Sequence, residues 1–243
     1  MGVLPNYGSD MRNKTILITG GSGFIGRNLV EYLSKYFKVL SPTHQELDLT
    51  DTDAVSKYFK RKPIDAVIHC AGKEKHPCFT DNIKMLQNIR QFATCKVLLM
   101  GSGADNELNG YGMSKHVMVN CAKNTKNTSY LRLYGVFGKY EDYKRRFISA
   151  CIVKKMRDEV LFIESNRVIN YIYIDDICQM VKNWIRLKKI DKIYIPQYPE
   201  NKTLKELAEM VGVIHLMGSW EKSYYSPKKH FNPLIKKYTP IRK

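Results

Sequence analysis

The stretch Lys14-Thr-Ile-Leu-Ile-Thr-Gly-Gly-Ser-Gly-Phe-Ile-Gly26 decides the fold. Its first half, Lys14–Thr19, is a short apolar run that ends in glycines, the pattern of a buried parallel strand. Phe24–Tyr36 continues with helical spacing, because Ile25, Leu29, Tyr32, Leu33 and Tyr36 share a face. Between strand and helix stand Gly20, Gly23 and Gly26. Gly20 allows a tight turn, Gly23 lets backbone approach a pyrophosphate, and Gly26 lets the helix pack against the strand. The helix N-terminus then offers N–H groups and partial positive charge to phosphates. The alternative is a glycine-rich turn with no ligand, but three glycines at this spacing weaken a fold that has no use for them.

Outward from this unit the alternation continues. Lys38–Leu40 reads as a second strand stopped by Pro42, and Asp51 or Thr52 can cap a helix over Ala54–Phe59. Asp65–His69 is a third strand, Asp81–Phe92 a helix, and Lys96–Met100 a fourth strand. Tyr111–Lys123 is a helix and Ser129–Leu133 a fifth strand. Strands alternating with helices predict an α/β fold with a doubly wound parallel sheet of the Rossmann kind. Its ligand edge lies at the strand C-termini. Beyond Tyr134 the pattern loosens. Helices are predicted over Arg146–Met156, over Asp175–Arg186 behind an Asp cap, and over Leu204–Val211 behind Thr203. Strands are predicted at Asn170–Ile174 and Lys192–Ile195. The domain reading is a dinucleotide-binding core over 11–135, with 166–190 returning to it. A reduced substrate-binding region takes 136–165 and 191–243.

The chain has 243 residues and a formal net charge of +17. Such a balance fits an anionic ligand or Lys-rich solvated faces. The clusters Lys144–Arg146, Lys154–Arg157 and Lys228–Lys229 are the ones to follow. Nucleic acid is not the expected partner. No apolar stretch approaches the roughly 20 residues of a membrane span. Met1–Asp10 lacks an export pattern and reads as a disordered leader, so a cytoplasmic protein is expected. Six scattered cysteines with no CxxC pair read as free thiols. No Cys/His cluster or HExxH suggests a metal.

Tyr111 and Lys115 are four apart and share a helix face. A lysine ammonium near a phenol stabilises the phenolate, so the Tyr can move a proton near neutral pH. The spacing alone is common here: Tyr58/Lys62, Tyr140/Lys144, Tyr198/Lys202, Tyr224/Lys228 and Tyr225/Lys229 repeat it. Only Tyr111 follows a strand that ends in Gly101-Ser-Gly-Ala104, at the ligand edge.

In this order the motifs resemble the extended short-chain dehydrogenase/reductase family, the nucleotide-sugar epimerases, dehydratases and reductases. Thr19–Gly26 resembles its cofactor loop, and Asp65-Ala-Val-Ile-His-Cys-Ala-Gly72 its third-strand segment over the cofactor. Asn82 resembles its helix asparagine. Ser102, Tyr111 and Lys115 match its catalytic set, Arg132–Gly138 its next segment, and Tyr171–Asp176 its later strand-to-helix turn. The resemblance covers about residues 14–211. It implies Tyr111 as acid/base, Lys115 also on the nicotinamide ribose, and Ser102 on the substrate oxygen. It implies Gly20, Gly23, Phe24, Ile25, Gly26, Asp48, Leu49, Cys70, Ala71 and Gly72 against the cofactor, and Asn82 and Arg146 toward substrate. Read from the residues alone, the alternative for Ser102 is a turn serine between glycines, and for Asn82 a helix cap. The family often dimerises through the helix that carries the Tyr and Lys, so a homodimer is the expected assembly.

Three departures concern the substrate. Tyr111 follows Ser102 by only nine residues. Gly135 and Lys139 replace the family's usual Asn and Pro. The C-terminal region is short. The second strand ends Ser41-Pro-Thr-His44 without a carboxylate to hold a ribose 2′-hydroxyl, which favours NADP over NAD. The family's dehydratases carry an Asp-Glu pair after the catalytic Ser or Thr, which is absent here. Enzymes resembling the GDP-fucose synthases need a Cys two residues past that Ser, where this chain has Ala104. The remaining chemistry is reduction of a 4-keto group on a nucleotide-activated sugar. The alternatives are 4-epimerisation with bound NAD and, from another class, a cofactor-binding or RNA-binding relative without catalysis.

Overall fold

A computed structural model describes residues 13–75, 78–197 and 200–217. The expected leader and basic tail, including Lys228–Lys229, lie outside the described residues. Chain order runs β1 (Thr15–Thr19), α1 (Phe24–Leu33), β2 (Lys38–Leu40), α2 (Thr52–Arg61), β3 (Ala66–His69), α3 (Cys78–Phe92) and β4 (Lys96–Met100). A 3-10 turn at Gly103–Asn106 follows, then α4 (Gly110–Asn124) and β5 (Thr128–Leu131). Next come β6 (Gly135–Phe137), α5 (Phe147–Met156), β7 (Leu161–Ile163), β8 (Val168–Ile169), β9 (Tyr171–Tyr173) and α6 (Ile174–Arg186). The described residues end with β10 (Ile193–Tyr194), β11 (Lys202–Thr203), α7 (Leu204–Val211) and β12 (His215–Met217).

Six strands form one sheet in the order β10-β5-β4-β3-β1-β2. Every pairing in it is parallel. Alternate residues explain why the strands read as continuous apolar runs. Leu17, Val67, Val97 and Leu99 pack with Ile89 of α3, Met118 of α4 and Tyr130 of β5. Their neighbours Ile16, Ile18, Ile68 and Leu98 are buried as well, so both faces of the sheet are covered. Emptying such a site, as in Leu99→Ala, costs roughly 2–5 kcal/mol.

The chain divides into two compact units. The first runs to Arg132 and takes back Met180–Ile195; the second comprises Leu133–Gln179 and resumes at Pro196. Residues near 193 therefore belong to the sheet rather than to the substrate-binding region, because β10 pairs in register with Tyr130 and Leu131. The segment returning to the core is Met180–Ile195 rather than 166–190.

The second unit has its own core, in which Phe137, Ile148, Cys151, Leu161, Ile163, Leu204 and Leu207 meet. Three two-stranded sheets frame it: β6 with β9, β7 with β12, and β8 with β11. One of the basic clusters, Lys154–Arg157, is used locally in this unit. Lys154 and Arg157 both face Glu159, and Lys155 Nζ donates to the Gly212 carbonyl at 2.6 Å. Those charges follow the solvated-face reading.

Several predicted boundaries move, two of them for a clear local reason. The first helix ends at Leu33 rather than Tyr36, because Ser34 Oγ donates back to the Val30 carbonyl at 2.7 Å and the chain turns. Tyr36 keeps its place on the apolar face by packing its ring 5.5 Å from Tyr32. The helix expected behind an Asp cap begins at Ile174, which puts Asp175 and Asp176 inside its first turn, where a carboxylate still complements the helix dipole.

Candidate active site

The glycine loop is built as its spacing predicts, with one refinement. Gly20 sits at φ +68°, and a Cβ there would lie 2.6 Å from Ala71 N, where the loop after β3 crosses the loop after β1. A Cβ at Gly26 would strike Gly20 O at 2.2 Å, so this glycine admits the turn itself rather than the strand behind it. A Cβ at Gly23 would meet only Gly20 O, at 3.4 Å. Among the described residues nothing else lies within 4 Å of that position. Gly23 also precedes α1, which has no side-chain cap and no acid in its first turn. This combination leaves backbone N–H groups for an anion.

Beside the loop lies a cavity of about 530 Å³. Gly20, Gly21 and Ser22 line one side, Ala71 and Gly72 another, and Ser41, Thr43, His44, Asp48 and Leu49 a third. Asp48 is held by Thr50, whose N and Oγ1 donate to Oδ1 at 2.8 and 2.7 Å. These bonds hold its carboxyl below the usual range. Thr43 is committed elsewhere: its N and Oγ1 donate to Glu46 Oε2 at 2.7 and 3.0 Å. Leu49 is buried and its carbonyl accepts from Asn88 Nδ2 at 2.9 Å. Phe24 and Ile25 open α1, and Cys70 follows β3 with its thiol pushed up to about 12 by burial.

Lys115 is buried in α4, yet its Nζ donates to the Met100 carbonyl at 2.9 Å, at the end of β4. The same Nζ lies 5.4 Å from the Tyr111 ring centroid. A Cβ on Gly72 would lie 4.0 Å from it, so the loop after β3 converges on this point too. Burial lowers the Lys115 ammonium to about 8, with Cys70 and Glu74 pulling the other way. Ser102, two residues past Met100, caps the 3-10 turn: its Oγ accepts from Ala104 N at 3.1 Å. The turn-serine reading is thus correct for the local geometry. With the oxygen accepting, the hydroxyl hydrogen is left to donate.

Asn82 is not a cap. It lies inside α3, buried, and closes a two-way brace with Lys73: Lys73 N donates to Oδ1 at 2.8 Å and Nδ2 donates to Lys73 O at 3.0 Å. Its Nδ2 also reaches Ser114 Oγ at 3.1 Å, one residue before Lys115. Arg146 belongs to the second unit, where it precedes α5.

Sequence reasoning missed the groups behind Ser102. Tyr130 OH accepts from Ser102 N at 3.0 Å and donates to Ser102 O at 3.3 Å. Asp105 is buried and accepts from Arg132 Nε at 2.7 Å. The signal that pointed to them was Gly101, where a Cβ would lie 2.1 Å from Tyr130 Cζ.

Among the described residues no helix is long and apolar enough to cross a membrane. Nor does any group of three or more His, Cys, Asp or Glu side chains converge on a metal position.

Residues 16–93 match the sequence profile of the NAD dependent epimerase/dehydratase family. A GDP-L-fucose synthase from Azorhizobium caulinodans is 40% identical over 62 residues, which cover 25% of this chain and 20% of that protein. A GDP-6-deoxy-D-talose 4-dehydrogenase from Aggregatibacter actinomycetemcomitans is 26% identical over 68% of each chain. Among solved structures, a dTDP-4-dehydrorhamnose reductase from Bacillus anthracis in complex with NADP superimposes with a TM-score of 0.72 at 16% identity. It covers 87% of this chain and 84% of that one. That likeness shows the fold. By profile over residues 16–93 and by these relatives, the chain is similar to the NAD dependent epimerase/dehydratase family, and it shares the fold of solved nucleotide-sugar reductases.

Proposed function

We propose that this chain is an NADP-dependent reductase of a 4-keto group on a nucleotide-activated sugar. The observation that carries the reading is Lys115. One buried ammonium ties the strand end that precedes Ser102 to the ring of Tyr111, beside a glycine loop with open space over Gly23.

The residues fit the cofactor. Gly20, Gly23, Phe24, Ile25 and Gly26 would hold the pyrophosphate at the start of α1. Asp48 and Leu49 would flank the adenine, and Cys70, Ala71 and Gly72 would lie along the dinucleotide. When bound, the cofactor supplies a hydride for the keto carbon. The chain's own work is proton handling and positioning. Ser102 donates its hydroxyl hydrogen to the keto oxygen, and Tyr111 delivers the proton that converts this oxygen to an alcohol. Lys115, still mostly protonated at neutral pH, stabilises the phenolate that remains. Asn82 fixes the Lys73 loop and Ser114 beside Lys115. The resemblance also assigns Arg146 to the substrate.

NADP is favoured over NAD because Ser41, Thr43 and His44 border the cavity at the end of β2 while the Glu46 carboxylate is turned to Thr43. One solved relative of the same fold holds NADP. The alternative, a 4-epimerase, uses the same side chains but recycles its cofactor. The two differ in stoichiometry. With a panel of 4-keto-6-deoxy nucleotide sugars, a reductase consumes one NADPH per sugar reduced. No oxidation with any of them, together with C4 inversion of a hydroxyl sugar without added cofactor, would assign the epimerase.

A further inference from the structure

We propose that Tyr130, Asp105 and Arg132 are positioning residues that fix Ser102 relative to Tyr111. The inference rests on Ser102 acting as proposed above. Ser102 lies on a tight connection, since β4 ends at Met100 and α4 begins at Gly110. A polar residue on so short a loop needs an external anchor to hold one rotamer and one height above the sheet.

Three contacts supply it. The Tyr130 ring, fully buried in β5, slides under Gly101, where any Cβ would collide with it. Its hydroxyl then closes a two-point clamp on the backbone of Ser102, accepting from N and donating to O. Arg132, two residues on and on the same side of β5, reaches over the Tyr130 ring, 5.9 Å from its centroid. Its Nε binds the Asp105 carboxylate at 2.7 Å, inside the 3-10 turn. That turn is in turn seated on α4. A Cβ on Gly112 would lie 2.6 Å from the Ala104 carbonyl and 2.4 Å from that of Glu107. His116 Nδ1 meets the Asp105 carbonyl at 3.2 Å. The path from β5 through the turn to α4 is therefore continuous, and it ends on the helix turn that carries Tyr111 and Lys115.

Burial alone does not require this arrangement. A Phe would fill the slot under Gly101 as well as a Tyr. The hydroxyl adds the clamp on Ser102 and a contact with the Asp105 carboxylate of the same loop, and that makes Tyr130→Phe the clean test of the loop's anchor. With NADPH and a 4-keto nucleotide sugar, we expect kcat to fall about tenfold, the worth of a buried hydrogen bond pair. The KM for NADPH should stay within about twofold, because the glycine loop is untouched. Amide exchange over 101–107 should accelerate while α4 and β3 keep their protection. A control variant in the same core but on α3, away from the Ser102 loop, Ile89→Val, matched for loss of melting temperature, should retain parental kcat. Equal loss of kcat in the control would make Tyr130 merely structural. Unchanged exchange over 101–107, or accelerated exchange with parental kcat, would overturn the positioning role. A parent chain that reduces no keto sugar would count against the proposed function, and the exchange experiment would then decide the clamp by itself.

Discussion

Two helices of this molecule begin in opposite ways. α7 satisfies its own N-terminus: Thr203 and Glu206 form a reciprocal capping box, with Glu206 N donating to Thr203 Oγ1 at 3.2 Å and Thr203 N to Glu206 Oε2 at 2.7 Å. It also ends conventionally, on Gly212 at φ +73°. α1 starts on Gly23 with no side-chain cap, no first-turn acid and open space above it. A helix that only has to be stable caps itself. A helix that has to receive a phosphate leaves its N–H groups to the ligand. Under the proposed function, the difference separates a helix start that serves folding from one that serves binding.

The largest effect should appear where binding gives way to chemistry. Tyr111→Phe should keep the fold and the dinucleotide affinity and lose at least about 100-fold in kcat, the usual worth of general acid–base catalysis. Near-parental turnover would mean the proton takes another route. Gly23→Asp tests the open helix start. There is room for the side chain, so stability should hold, but a carboxylate would face the phosphates. Calorimetric titration should show the Kd for NADPH rising roughly 100-fold, about 2.7 kcal/mol. Equal binding by variant and parent would erase the contrast between the two helices.

A smaller effect follows from Lys115. Its ammonium, lowered by burial to about 8 from an ordinary 10.5, is present below that pH and lost above it. Turnover should therefore fall about tenfold per unit as pH rises past 8. The unfolded chain holds this proton up to about 10.5, so between these values the unfolded state binds more protons and stability rises with pH. Activity lost in that window while the melting temperature holds or climbs would separate the chemistry from unfolding. The smallest effect belongs to α7. Thr203→Ala removes the capping box and should cost about 1 kcal/mol of stability. It should leave NADPH affinity unchanged, and a shift in that affinity would show that the caps and the cofactor site are coupled.

The same contrast explains how much was legible in the sequence. The first unit was readable because its strands are buried on both faces, so Thr15–Thr19 and Lys96–Met100 stand out as apolar runs. Gly20, Gly23 and Gly26 also have no cheaper explanation than the turn they make. The second unit was legible in its helices and in β9. β6, β7, β8, β11 and β12 have two or three residues each. They are too short to show a period of two, and Phe162 and Leu216 leave apolar side chains exposed in β7 and β12. Helix ends also escaped, since Tyr36 continues the apolar spacing in a turn. At the site, Ser102, Tyr111 and Lys115 could be singled out by their position after a strand. Tyr130, Asp105 and Arg132 could not, because a Tyr in an apolar strand looks like core until Gly101 is found over its ring.

One measurement bears on the central claim most directly. Supply the chain with NADPH that carries deuterium at the transferable position of the nicotinamide, together with a 4-keto-6-deoxy nucleotide sugar, and analyse the sugar by mass spectrometry. The account predicts one deuterium at sugar carbon 4 for each NADPH oxidised, and no incorporation in Tyr111→Phe above about one hundredth of the parental rate. A sugar inverted at carbon 4 without deuterium and without net oxidation, or no reaction with any such sugar, would contradict it.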